Sequence, residues 1–178
     1  MATGQHSAPC TVHRWGSSGW AMALQGSPLL LLLLTAALVV LGASASQEQY
    51  ERFRLQHIDP KPKGRDDAYC NRRMRWMMTN DKRMTGGKEK VCKETNTFIH
   101  VNSDRITEVC TPEKGKDYRT KTGQLMRQST DSFQVTNCKH HGGKPILNCE
   151  YRASKDSRKI IIACDEARRP VHLDDILI

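Results

Sequence analysis

Before Glu48 the chain has no aspartate or glutamate, and Arg14 is the lone lysine or arginine there. That stretch holds instead an apolar run, Leu29 to Leu41. The 13 residues of the run fall short of the roughly 20 that a membrane-spanning helix needs. No flanking basic cluster follows it, which argues against an uncleaved anchor and for the core of a signal peptide. Ala43-Ser44-Ala45-Ser46 supplies the small side chains a signal peptidase requires, with cleavage after Ala45 or Ser46. Residues 1–46 are therefore read as a signal peptide and 47–178 as the working domain, and a start at Met22 would give the leader an ordinary length. No Cys-x-x-Cys pair occurs, which disfavours a zinc ribbon or a thioredoxin-like redox site. After residue 46 there is no internal repeat, heptad series or low-complexity tract, so one domain is expected.

What the domain does contain is charge and cysteine. Removing Arg14 from the 28 lysines and arginines leaves 27 against 19 acids, a net charge of +8 beyond residue 46. Such a balance suits a polyanionic partner; nucleic acid, heparin-like glycans and anionic membranes all fit, and charge does not separate them. Cys10 falls in the leader, leaving six cysteines: Cys70, Cys92, Cys110, Cys138, Cys149 and Cys164. In an exported chain of this size an even number at wide spacing implies disulfides, although spacing alone does not select among the possible pairings.

Tyr50, Phe53 and His57 share one face of a helix over Glu48–His57, which Pro60 and Pro62 terminate. A second helix is expected over Ala68–Met78, followed by an exposed basic loop, Asn80–Lys90. Beyond Cys92 the pattern turns to strands at Thr95–Val101, Ser132–Thr136, Asn148–Arg152, Lys159–Ala163 and Val171–Leu173, with a short helix at Ser103–Val109. Turn-forming clusters at Pro112–Gly115, Gly142–Pro145 and Ser154–Ser157 separate them and favour an antiparallel sheet. Helices first and strands later predict an α+β fold.

Acid and base catalysis near neutral pH calls for histidine, and the domain offers His57, His100, His140, His141 and His172. His57 lies on the apolar helix face, where burial would hold it. In Pro170-Val171-His172-Leu173-Asp174, strand alternation puts His172 and Asp174 on one face, so Asp174 is placed to fix the tautomer of His172.

The segment Cys92-Lys93-Glu94-Thr95-Asn96-Thr97-Phe98 resembles the Cys-Lys-x-x-Asn-Thr-Phe signature of the pancreatic ribonuclease superfamily. Two further matches, Gln56-His57 and Pro170-Val171-His172-Leu173-Asp174, flank it in the expected order, and the resemblance covers essentially all of residues 47–178. Within the superfamily the chain is similar to the angiogenins, at Lys61–Asp67 before Tyr69-Cys70, Asn96–His100, Ser132–Thr136 and Cys149–Ala153. Angiogenins also carry six cysteines where most members carry eight.

The resemblance implies a ribonuclease A-like α+β fold, with three helices, a bent antiparallel sheet and three disulfides: Cys70 with Cys138, Cys92 with Cys149, Cys110 with Cys164. It implies a pyrimidine-preferring RNA endonuclease that works through a cyclic phosphate. His57 would be the general base on the ribose 2′-hydroxyl and His172 the general acid on the departing 5′-oxygen. Lys93 would stabilise charge on the phosphate, Gln56 would contact it, and Thr97 would read the pyrimidine. Asn96, Phe98 and Asp174 complete the expected substrate-binding set. No metal and no cofactor are implied, because the 2′-hydroxyl is the nucleophile. The implied partner is RNA, single-stranded or transfer RNA, a ribonuclease inhibitor protein is a further candidate, and a secreted monomer is expected.

The chain also departs from the angiogenins. Cys70 and Cys92 enclose 21 residues, several more than in an angiogenin, with the excess in the Asn80–Lys90 loop. Arg72-Arg73-Met74-Arg75 resembles a basic cluster used for nuclear entry, but a solvated helix face is the preferred reading. Glu113–Arg127 matches the angiogenin cell-contact region poorly, so receptor binding is not carried over. Asp175 stands where angiogenins place a glutamine that occludes the pyrimidine pocket, and partial self-occlusion is expected. The competing reading is a cationic antimicrobial protein acting on membranes through Arg75, Trp76, Met77 and Met78, with catalysis incidental.

Overall fold

The structure, a computed structural model, describes residues 27–81, 83 and 91–177. The chain divides into two units, residues 1–37 and 38–178. In the first, the described residues 27–37 are helical from Pro28 on, with the leucines exposed. Helix α1 spans Pro28–His57 without a break at Ala45 or Ser46, because no proline interrupts the run that joins the apolar stretch to Glu48–His57. An 18-residue window of this helix averages 2.4 in hydropathy. By length and composition alone it is able to cross a membrane, and an N-terminal signal sequence has the same character.

Helix α2 covers Asp67–Asn80. Asp66 caps it by accepting a 2.9 Å bond from the Tyr69 amide. Its inner stripe, Tyr69, Cys70, Met74, Met77 and Met78, packs with Phe98 and Tyr151 into one hydrophobic cluster. The burial of Met77 and Met78 removes the apolar face on which the membrane-active reading depended, leaving Trp76 exposed beside Arg75. Helix α3, Ser103–Thr107, runs into a 3-10 turn at Glu108–Cys110.

The described residues form six strands, the first of them ahead of α3: β1 Thr95–Ile99, β2 Gly115–Arg119, β3 Leu125–Ser129, β4 Phe133–Gly142, β5 Glu150–Cys164 and β6 Pro170–Leu177. All pair antiparallel, in the order β1-β4-β5-β3-β2, with β6 also on β5. The long β5 pairs with β4 through residues 150–158 and with β3 and β6 through its second half, so it joins two arms of a bent sheet. A second hydrophobic cluster, including Phe53, Ile99, Ile106, Val135, Ile160 and Ile162, lies under it. Disulfides Cys70–Cys138, Cys92–Cys149 and Cys110–Cys164 close loops of 54 to 68 residues. Each such loop is worth roughly 4 kcal/mol on the chain-entropy account.

One expected turn is strand instead, whereas Pro112–Lys114 forms a turn as expected. Ser154–Ser157 lies inside β5, paired residue for residue with Gln134–Asn137 of β4. Cross-strand pairing outweighs the local turn propensity of these polar residues. Gly115 ends the Pro112–Lys114 turn and opens β2; a Cβ there would sit 1.9 Å from the Val109 carbonyl oxygen, so glycine also answers a close backbone approach.

Candidate active site

His57 closes helix α1 one turn beyond Phe53, and the two buried rings lie 5.2 Å apart. Its Nδ1 stands 2.9 Å from the carbonyl oxygen of Thr97. A carbonyl only accepts, so Nδ1 carries the proton and Nε2 is left as the basic nitrogen. Burial brings the pKa down from 6.5 to about 3; the Thr97 bond opposes this, and the charges of Lys93, His172 and Arg52 add to it. The ring is thus neutral at physiological pH, as a general base must be.

Lys93 precedes β1, and its ammonium donates to Asn96 Oδ1 at 2.7 Å. The buried Asn96 side chain in turn donates to the Gln56 carbonyl at 2.8 Å. That carbonyl has no helical donor because the residue four positions on is Pro60, which lacks an N–H. The end of α1, the lysine and β1 are therefore tied together by one asparagine. Burial and then Arg52 lower the Lys93 pKa, while Asp81 opposes them.

Strand alternation turns Thr95 and Thr97 to the outside of β1 and Phe98 inward. Thr97 lines an open cleft of about 270 Å³ with His57, Thr95, Asn96, Asn137, Leu173 and Asp174. Phe98, placed by the resemblance in the substrate-binding set, has its side chain fully buried in the core, 5.9 Å from the Tyr69 ring. His172 sits exposed on β6, opposite Ala163, close enough to act electrostatically on His57. No hydrogen bond joins it to Asp174 among the described residues. The register slips between Ile162↔Leu173 and Ile161↔Asp175, which makes Asp174 the extra residue of a bulge, and such irregularities re-aim side chains. The Asp175 side chain lies outside the described residues.

Gln56, which the resemblance makes a phosphate contact, has its side-chain amide engaged within the protein. Its side-chain amide donates to Asp81 Oδ2 at 2.6 Å, and Arg52 Nε donates to the same oxygen at 3.0 Å. Asp81 is 2% exposed although it falls in the segment read as a loop; the rest of that segment, apart from Asn80 and Arg83, lies outside the described residues. Sequence patterning carries no signal for Asp81, whereas Asn137, directly opposite Thr97, follows from strand register.

The other histidines are structural or peripheral. His100 is held between the Asp59 carbonyl at 2.9 Å and the Thr136 hydroxyl at 2.7 Å, and burial lowers its pKa. His140 lies edge-on to Tyr151, near the sulfurs of Cys92 and Cys149, which are bonded to each other and not free as metal ligands. His141 is exposed.

A bent antiparallel sheet with helices against it, three disulfides and a polar cleft between His57 and β6 define a ribonuclease-type fold. The sequence profile described as Pancreatic ribonuclease matches residues 48–174, and the chain belongs to that family. It is 40% identical to Angiogenin-4 of Mus musculus over 157 residues, covering 88% of this chain and 99% of the relative. It is 41% identical to Angiogenin of Oryctolagus cuniculus, with 82% and 90% covered. The solved structure of green turtle egg white ribonuclease superposes with a TM-score of 0.58 at 37% identity, covering 72% of this chain and 98% of that one.

Proposed function

We propose that the protein is an exported, pyrimidine-preferring endoribonuclease that cleaves RNA through a 2′,3′-cyclic phosphate without a metal ion. Residues 1–46 act as the signal peptide, and the disulfide-bonded domain suits an oxidising compartment. His57 Nε2 takes the proton of the 2′-hydroxyl, whose oxygen attacks the adjacent phosphorus. His172 protonates the departing 5′-oxygen. Water then opens the cyclic ester with the two roles exchanged. The Lys93 ammonium, anchored by Asn96, neutralises the charge that grows on the phosphate oxygens. The Thr97 hydroxyl, unbonded among the described residues, faces the cleft where a pyrimidine would lie, and Asn137 stands beside it. DNA, lacking the 2′-hydroxyl, binds without being cut.

The observation that carries this reading is the tautomer lock on His57: a buried imidazole with Nδ1 committed to the Thr97 carbonyl and a basic Nε2 next to Lys93. Cleavage of a pyrimidine-purine dinucleotide and of transfer RNA, each with and without a chelator, tests it. The expected result is chelator-insensitive cleavage 3′ to pyrimidines that disappears in both His57→Ala and His172→Ala. Full cleavage by either variant would overturn the assignment.

A further inference from the structure

Helix α2 presents a second surface that shares no lining residue with the His57 cleft. Trp76 is 49% exposed on it. The ring is not loose: the guanidinium carbon of Arg73 lies 4.2 Å from its centroid and 5.0 Å from that of the buried Phe98, so Arg73 fills the space between the two rings. Arg73 is itself fixed, donating at 3.1 Å to the carbonyls of Leu55 and Ile58 at the end of α1. Backed in this way, the indole is a rigid platform.

Around it Lys61, Lys63, Tyr69, Arg72 and Arg73 complete a cleft of about 280 Å³. Lys61, Lys63 and Arg72 are exposed, and none forms a salt bridge among the described residues. The one acid lining the cleft, Asp59, is already engaged by the Tyr69 hydroxyl at 2.7 Å and by Arg73 at 3.8 Å. The cleft therefore offers a fixed aromatic face flanked by exposed cations that form no salt bridge among the described residues.

We propose that this cleft is an accessory binding site for single-stranded RNA, in which Trp76 stacks a base and Lys61, Lys63 and Arg72 neutralise the adjoining phosphates. Every base has a π-face, so such a platform grips a strand without reading its sequence. A membrane fits less well, because Met74, Met77 and Met78 are buried and the indole is the lone apolar contribution of this helix face. A sulfated glycan would use the cations and leave the braced ring idle. The purpose of the site, a second hold on a long substrate, rests on the ribonuclease reading; its binding chemistry does not.

Titration of the exported protein with a short single-stranded oligodeoxynucleotide, which has bases and phosphates but survives, reads binding without catalysis. Binding should quench indole emission in the parent, and the anisotropy of a dye-labelled oligonucleotide reads affinity in every variant. Trp76→Ala should weaken binding roughly five- to a hundredfold, the range for loss of one stacked base. Trp76→Phe, which keeps a ring over Arg73, should fall between the parent and Trp76→Ala and guards against misfolding. The Lys61→Ala, Lys63→Ala double variant should flatten the slope of log affinity against log salt by roughly 1.4, as expected for two lost phosphate contacts on a single strand. All three variants should cleave a dinucleotide as the parent does while showing a raised KM on long RNA. A parent inert toward the dinucleotide would sink the ribonuclease reading and leave the oligonucleotide titration standing. Unchanged affinity in Trp76→Ala would overturn the accessory site, and a loss confined to the lysine variant would reduce it to a plain cationic surface. Weakened binding of heparin oligosaccharides or anionic vesicles with unaltered oligonucleotide binding would also overturn it and assign the cleft to that ligand.

Discussion

The side-chain amide of Gln56 is held by Asp81 at 2.6 Å, one residue before the imidazole that faces the cleft. Burial pushes the Asp81 carboxyl up, but bonds from Arg52, Gln56 and the Arg83 amide outweigh it and leave its pKa below the usual carboxylate value. The first residue after helix α2 thus orders two side chains of helix α1 and places a negative charge near Lys93.

Asp81→Ala should cost about 1–3 kcal/mol, since it strands donors that a nearly buried carboxylate had satisfied. Asp81→Asn should cost less, yet it removes a charge that favours the protonated form of Lys93, so the ammonium should give up its proton at a lower pH than in the parent. Urea denaturation and an NMR titration of the Lys93 side chain measure the two effects. An unmoved Lys93 titration in the Asn variant would show that Asp81 does not act on Lys93.

Asn96 bridges Lys93 to the end of α1, so its loss should be felt in catalysis as well as in stability. Lys93→Ala should lower kcat on a dinucleotide by about 10²–10³, the usual effect of removing a group that stabilises developing charge. Asn96→Ala keeps the ammonium but frees it to wander, and a smaller loss, about tenfold, is expected from misplacement. Equal rates in the Asn96→Ala protein and the parent would show that the bridge does not position the lysine.

Much of this was legible from residues alone. Helical spacing placed Phe53 and His57 on one face, and the alternation of β1 sends Thr95 and Thr97 outward and Phe98 to the opposite face. The resemblance placed Phe98 in the substrate-binding set, and its burial in the core appears only once β1 is laid against helix α2. The continuous β5 was not legible, because Ser154–Ser157 has turn chemistry locally and becomes strand only by pairing with β4. Asp81 was hidden for a similar reason. Nothing in its neighbours marks it as buried; the partners that bury it, Arg52 and Gln56, come from a distant helix. The bulge at Asp174 likewise depends on the register of β5, and a period-two reading of β6 alone misses it.

The burial of Phe98 yields a clean separation of stability from activity. Phe98→Ala should destabilise the fold by about 3–5 kcal/mol, as for other buried aromatic truncations. Phe98→Leu should cost much less. If the side chain does not meet substrate, dinucleotide cleavage by the Leu variant, measured well below its Tm, should match the parent within a few-fold. A large rise in KM with unaltered stability would instead return Phe98 to the binding set.

The depressed pKa of His57 makes two linked predictions. In the folded protein the ring takes a proton only near about 3, whereas in the unfolded chain it does so near 6.5. Its proton resonances should therefore not titrate between about pH 5 and pH 8, the interval in which an ordinary histidine changes charge. Between the two pKa values the unfolded state binds the extra proton, so stability rises with pH in that window and drains away as pH falls from 6.5 toward 3. A glutamine at this position carries no such proton. The unfolding free energy of His57→Gln, compared with the parent at neutral pH and again near pH 4.5, should gain on the parent by roughly 1.4 kcal/mol for each pH unit spent below 6.5. Carboxylates that titrate in the same range act on both proteins alike and cancel in the comparison. A gap that stays constant with pH would mean that His57 titrates in the folded protein as it does in the unfolded chain, and the depression by burial would be ruled out.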